Sequence, residues 1–331
     1  MGPRERRRQA GCRGPRRFKK MTALVYVVLV LSAVVFVAAT VARAVMYARM
    51  PLHLRWELYP VPHEAPDRAA HGGSYFEAAD WWTHTERFNL AGELKAMFAE
   101  MLFLKALREF NLALWFRSFP FHFGLYLLIA TVVLVLGAAV ATLVAPAVMA
   151  GALGRILSVA YRATGVAGVT LAIIGAAGLL HRRFTDERLR LYNAPGDIFN
   201  LVWFLVALGV LAAGYAIRPA GAPSTPALVA GLLTWDTTLE IPGLLAAGLL
   251  LSAPLAAYIP FTHMSHFVGK YFTYHAVRWD DAVNRRGGAI ERKLAEYLTY
   301  RPTWAAPHVK ADGTKTWAEV VTTNPTEGVR R

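Results

Sequence analysis

Cysteine is nearly absent from this chain of 331 residues: the single one, Cys12, lies in a basic N-terminal arm. That excludes a disulfide framework, a cysteine-ligated iron–sulfur cluster and a C-x-x-C-H haem attachment. A metal centre, if there is one, must rest on histidine. Charge is scarce too, at 18% of residues against 55% hydrophobic, and the apolar residues come in runs too long for a soluble core. The chain has no internal repeat, and no charge sits near the middle of those runs. Paired half-repeats and midplane charges are the usual marks of a transporter, which makes that reading the weaker one.

Five apolar runs, about 21–47, 120–148, 161–180, 198–217 and 242–261, are each long enough to cross a bilayer as a helix. The expected architecture is an all-α integral membrane protein, a five-helix transmembrane bundle with a long ordered first loop and a cytoplasmic C-terminal tail. The segments are a basic arm over 1–20, a first span over 21–48, a loop over 49–118, the remaining spans over 119–269 and a tail over 270–331. Ser118 as cap and Pro120 in the first turn place the start of the second helix. Gly165, Gly168, Gly175 and Gly178 on the third suit close approach of a neighbouring helix or of a flat cofactor, with helix packing the commoner use. The apolar stretch 227–235 is too short to cross.

Two polar regions do more than connect. The first loop opens with prolines and aromatics from Pro51 through Trp56 to Glu64, an ordered extended segment. It closes with an expected surface helix over 92–116 that mixes apolar residues with Lys95, Lys105 and Arg108. The tail carries Trp279, Trp304, His308 and Trp317, and spaced tryptophans in a segment without an evident core suggest docking to a partner.

Of ten histidines, few fall where a membrane cofactor could use them. His122 lies one turn inside the second span among apolar neighbours, where a titratable group is costly unless it serves a purpose. His263 and His266 follow the fifth span, and their spacing places both on one helical face. With five crossings, the start of the second span and the end of the fifth are on the same side, so His122 and His266 can lie at similar depth. Two imidazoles opposed across a bundle suit a six-coordinate haem iron. Gly269 would leave room for a porphyrin edge, and Lys270, His263 or the Arg182–Arg183 pair could neutralise propionates. Zinc is disfavoured because a third ligand is missing from these helices.

These residues resemble the gamma, or cytochrome b, subunit of respiratory nitrate reductase. The resemblance is carried by Phe121-His122-Phe123-Gly124, by Leu180-His181-Arg182-Arg183-Phe184-Thr185-Asp186-Glu187-Arg188 leading to Asp197, and by Pro260-Phe261-Thr262-His263-Met264-Ser265-His266. Further segments, His53-Leu54-Arg55-Trp56-Glu57-Leu58-Tyr59-Pro60-Val61-Pro62-His63-Glu64, Lys270-Tyr271-Phe272-Thr273-Tyr274-His275 and Arg278-Trp279-Asp280-Asp281, look closest to the membrane cytochromes of sulfate reducers that pair with a heterodisulfide-reductase-like iron–sulfur protein.

The resemblance implies haem b ligated by His122 and His266, and exchange of electrons with menaquinone. It also implies a cytoplasmic iron–sulfur subunit as partner and a periplasmic multihaem cytochrome c as a further candidate. The family's outer histidine pair is missing, with Val132 and Gly248 in the corresponding places, so one haem is expected. The quinone's seat is placed near Tyr126, His263, Lys270 and Arg55. The competing readings are a haem-free membrane scaffold and a transporter subunit.

Residues 1–20 hold nine Lys/Arg and one Glu, which makes +8 of the formal net charge of +14. Beside a membrane span such an arm reads as a topology signal before it reads as a nucleic-acid site. Elsewhere the first loop, the third-to-fourth connection and the tail are the basic side, with Arg55, Arg87, Arg182, Arg183, Arg188, Arg190, Lys270, Arg278, Arg285 and Arg286. Positive-inside logic puts that side in the cytoplasm, at the inner membrane, and the N-terminus outside. The basic arm conflicts with this placement. The conflict is resolved either by an unseen sixth crossing or by translation starting at Met21, the natural initiator directly after Lys19-Lys20.

Overall fold

The computed structural model describes residues 14–54, 60–64, 66, 70, 83, 89–304, 309 and 311–323, with side chains from residue 19 onward. The first thirteen residues of the basic arm, Arg55 and Trp56 of the extended segment, Arg87 and His308 lie outside the described residues. Among those described the chain is helical, with no strand. Five helices are long and apolar enough to cross a membrane: Lys19–Arg49, Leu112–Val144, Ala152–Thr185, Pro195–Ala216 and Gly243–Phe261. They expose much of their apolar surface, for example Val34 at 59%, Val132 at 67% and Val166 at 71%. Such continuous apolar cover is unfavourable in water and suits a hydrocarbon surround. The chain is thus a multi-pass membrane protein. The helices are labelled α1 (Gly14–Arg49), α2 (Leu90–Leu102), α3 (Lys105–Phe110), α4 (Leu112–Val144), α5 (Pro146–Ala150), α6 (Ala152–Thr185), α7 (Glu187–Arg190), α8 (Pro195–Ala216), α9 (Thr225–Thr234), α10 (Gly243–Tyr258), α11 (His266–Tyr274), α12 (Ala289–Leu298) and α13 (Trp317–Thr322).

The chain packs as two units, residues 1–41 with 99–265 and residues 42–98 with 266–331. In the first unit, α4 and α6 form the tightest pair. A Cβ on Gly175 would strike the backbone nitrogen of Phe121 and come within 2.6 Å of its Cα. Gly124 abuts the backbone of Ala172, Gly168 abuts Leu128, and Gly178 makes room for the Arg117 side chain. All four glycines singled out on the third span therefore face α4, and Thr131 adds a hydroxyl bond to Thr164 at 2.8 Å. Small residues permit this approach because helix association in lipid relies on close van der Waals packing. Gly175→Ala is expected to cost about 1–3 kcal/mol through overpacking. Gly165→Ala, whose Cβ would meet Thr131 at an ordinary 3.4 Å, should be nearly neutral. Denaturant titration in detergent would compare them, and equal stabilities would refute the packing account.

The two ends of this unit are distinct. Thr22 of α1 donates to the Leu239 carbonyl at 2.7 Å, and Tyr26 donates to that of Leu228. The start of α1 therefore shares an end with the α8–α10 connection, as five alternating crossings require. The short α9 lies within that connection and is no sixth crossing.

Three expectations need correction. The second span does not begin at Ser118: α4 starts at Leu112, capped by Asn111, whose side chain accepts from the Leu114 amide, and Pro120 lies inside the helix. A proline is tolerated there because membrane helices can re-satisfy a freed carbonyl locally. The expected surface helix over 92–116 is broken at Leu104, which has a left-handed φ of 51°. Side chains from α4 clasp the break, Trp115 Nε1 donating to the Phe103 carbonyl and the Tyr126 hydroxyl to that of Met101, both at 2.9 Å. The fifth span does not continue as one α-helix to His266: it passes through two short 3-10 turns, Ile259–Phe261 and His263–Ser265, before α11 begins.

The second unit folds the tail against the first loop. Trp279 is completely buried, and its carbonyl accepts from Nε2 of His63 at 3.0 Å. The Asn89 amide donates to Asp281, and the Leu52 amide donates to the Tyr297 hydroxyl. Trp279 is thus an internal anchor rather than a surface one, whereas Trp304 is 85% exposed.

Candidate functional site

His122 belongs to the first unit, partly buried in α4. Its Nδ1 lies 2.8 Å from the Ser118 carbonyl and 3.3 Å from the Ser118 hydroxyl. A carbonyl only accepts, so the contact is one in which Nδ1–H donates. The i, i+4 spacing makes this contact available, since residue 118 is one turn back on the same face. Sequence reading took Ser118 for a helix cap; in the structure it orients the histidine ring. Phe121, edge-on to His122 and to Phe204 of α8, ties this part of α4 into the core with Ala172, Ala176 and Leu255. An imidazole held by a backbone carbonyl at one nitrogen is the form a metal-ligating histidine takes. On the His122 side the residues fit a haem ligand.

His266 opens α11 in the second unit and is exposed. Gly269, one turn on, faces the Tyr47 hydroxyl, to which a Cβ would come within 3.1 Å. The space expected for a porphyrin edge is therefore taken by Tyr47, which also stacks on Phe272. Lys270 lies over the Tyr274 ring at 5.6 Å.

His263 and Arg183 meet in the first unit at one carboxylate. Arg183 pairs with Asp197 at 3.2 Å, His263 Nε2 lies 3.7 Å from the other oxygen, and Asn193 links to Arg183 through both its side-chain donor and acceptor. Asp197 also accepts from the Ala194 amide, which closes the first turn of α8. Arg182 pairs with Asp186 at 3.1 Å. The Leu189 amide donating to Asp186, with Arg182 beside it, holds that carboxyl below its usual range. Both arginines expected to serve propionates are thus already neutralised by acids four to fourteen residues away in sequence. Tyr126, expected near a quinone, instead gives its hydroxyl to Met101.

One pair in the second unit carried no sequence signal: Glu93, 3% exposed, lies 3.3 Å from Nδ1 of His275, whose ring stacks on Tyr271. The two are far apart in sequence, so only the fold reveals them. Among the described residues no three His, Cys, Asp or Glu side chains gather to hold a metal ion. That criterion bears on zinc; a porphyrin brings four donors and asks the protein for two at most. Comparison with protein-family models, curated proteins and solved structures returns no match.

Proposed function

We propose that the chain is the membrane b-type cytochrome subunit of a quinone-linked oxidoreductase, passing electrons between menaquinol or menaquinone and a cytoplasmic iron–sulfur partner. The observation that carries the reading is the bond from Nδ1–H of His122 to the Ser118 carbonyl, which orients an imidazole inside a membrane span. On the sequence reading, His266 would be the second histidine to hold the haem. A haem with two imidazole ligands passes single electrons and offers no open position to oxygen. The chain's own part is to orient: the Ser118 carbonyl holds the ring, and Phe121 with Phe204 fixes the helix that carries it. His263, beside Asp197, is the candidate for a quinone headgroup in the first unit, and the Tyr126 hydroxyl donates to the Met101 carbonyl. The loop and the tail are assigned to the cytoplasm by their basic residues.

A reduced-minus-oxidised absorption spectrum of the purified protein from a haem-sufficient host tests the class. A b-type signal is expected; a flat spectrum would leave the haem-free scaffold or the transporter subunit. Trp304 is the best-exposed tail tryptophan and the expected docking anchor. Trp304→Ala should weaken retention of the iron–sulfur partner by about 2 kcal/mol, roughly thirtyfold, without altering the spectrum. Co-purification at unchanged yield across a dilution series would refute that role.

A further inference from the structure

The end of α6 and its connection to α8 expose more apolar surface than a solvated turn needs. Leu191 is 83% exposed, Tyr192 80% and Phe184 57%. Their charges divide into two sets. Arg182 and Arg183 are consumed by Asp186 and Asp197, whereas Arg188 and Arg190, both exposed, make no ion pair among the described residues. Glu187 is the only other acid in the turn and is exposed beside them.

The level of this turn follows from helix length. Eighteen residues separate Arg162 from His181, which at about 1.5 Å each is about 27 Å, close to the hydrocarbon thickness of about 30 Å. Thr185, where α6 ends, is then about 6 Å further out, and the headgroup layer is about 5–7 Å deep on each side. The turn is tied at both ends to membrane-crossing helices, so it cannot rise far from that layer. The start of α4 shares the level, since Arg117 packs on Gly178, and it adds Phe116 at 63% exposure. Aromatic and basic residues interleaved at one depth are what a membrane interface selects.

We propose that the α6–α8 turn is an anionic-phospholipid site, with Leu191 and Tyr192 sunk toward the acyl boundary and Arg188 with Arg190 holding the headgroup phosphate. The site is independent of the redox reading and stands or falls on the membrane placement alone. A protein partner fits less well, because the apolar pair is confined to a nine-residue turn, 186–194, fixed at headgroup level.

The test uses full-length protein carrying Cys12→Ser and Tyr192→Cys, labelled with an environment-sensitive fluorophore and placed in nanodiscs of phosphatidylcholine with increasing phosphatidylglycerol. Emission should shift to the blue as the anionic lipid rises. Arg188→Gln and Arg190→Gln should each raise the phosphatidylglycerol fraction needed for half the shift about fivefold, the equivalent of about 1 kcal/mol per basic residue. Arg188→Lys and Arg190→Lys should largely retain the response, which separates lost charge from lost fold. A label at Leu191→Cys repeats the measurement should the first variant fail to assemble. Water-like emission in every disc would overturn the proposal, as would a shift indifferent to lipid charge and to both glutamines. Two further results would also overturn it: competition by inorganic phosphate at constant ionic strength, which would indicate a free-anion site, and a shift that needs an added soluble partner.

Discussion

His122→Ala is expected to abolish the low-spin b-type signal of the purified protein, while His263→Ala leaves it in place. The imidazole of His122 is held inside α4 by the Ser118 carbonyl at 2.8 Å, and alanine offers no nitrogen there. His263 is 65% exposed and lies beside Asp197, in a 3-10 turn after the fifth span. Ser118→Ala gives a sharper control: the bond that orients the ring goes to the backbone carbonyl, which alanine retains, so the signal should persist with at most a small shift. A normal spectrum from His122→Ala would remove the haem assignment altogether. Loss in His263→Ala with retention in His266→Ala would move the second ligand to the neighbour three residues earlier.

Five crossings were legible because runs of apolar residues that long have few other uses, and α6 and α8 kept their expected centres even where their ends moved. The limits of α4 were not legible. Pro120 resembles a first-turn proline, and only the Asn111 cap, with the aromatic stretch that follows it, shows that the helix begins eight residues earlier. The break at Leu104 was hidden for a different reason. No glycine or proline marks it, and the left-handed residue is held by Trp115 and Tyr126 reaching back from the next helix. A tertiary clasp of that kind leaves no local pattern.

The histidines divide in the same way. The i, i+4 relation of Ser118 and His122 was present in the sequence and needed only helical geometry to be read. The Asp197 hub, which gathers Arg183 and His263 from different elements, needed the fold. So did the Glu93–His275 contact. Gly269 shows the opposite hazard: its missing side chain signals a close neighbour, but sequence cannot say whether the neighbour is a cofactor or Tyr47.

Trp279→Ala is expected to destabilise the second unit by about 3–5 kcal/mol, the usual cost of deleting a large buried aromatic side chain and leaving its cavity. Trp279 is completely buried, Tyr274 packs at 6.1 Å between ring centroids, and Val283 lies buried close by in the chain. Its carbonyl, which His63 caps, survives the substitution. The loss should therefore come from packing, and the Asn89–Asp281 contact just beyond should loosen with it. Limited proteolysis and thermal unfolding in detergent would read the change, with Trp304→Ala as a surface control expected within about 0.5 kcal/mol of the parent. The two variants then separate two meanings of a tryptophan in this tail. Trp279→Ala should expose the tail to protease in the isolated chain, whereas Trp304→Ala should leave the isolated chain intact and, on the proposed function, weaken only docking of the partner. If Trp279→Ala unfolds within about 1 kcal/mol of the parent, the tail is not held by this side chain, and the assignment of Trp279 as an internal anchor fails.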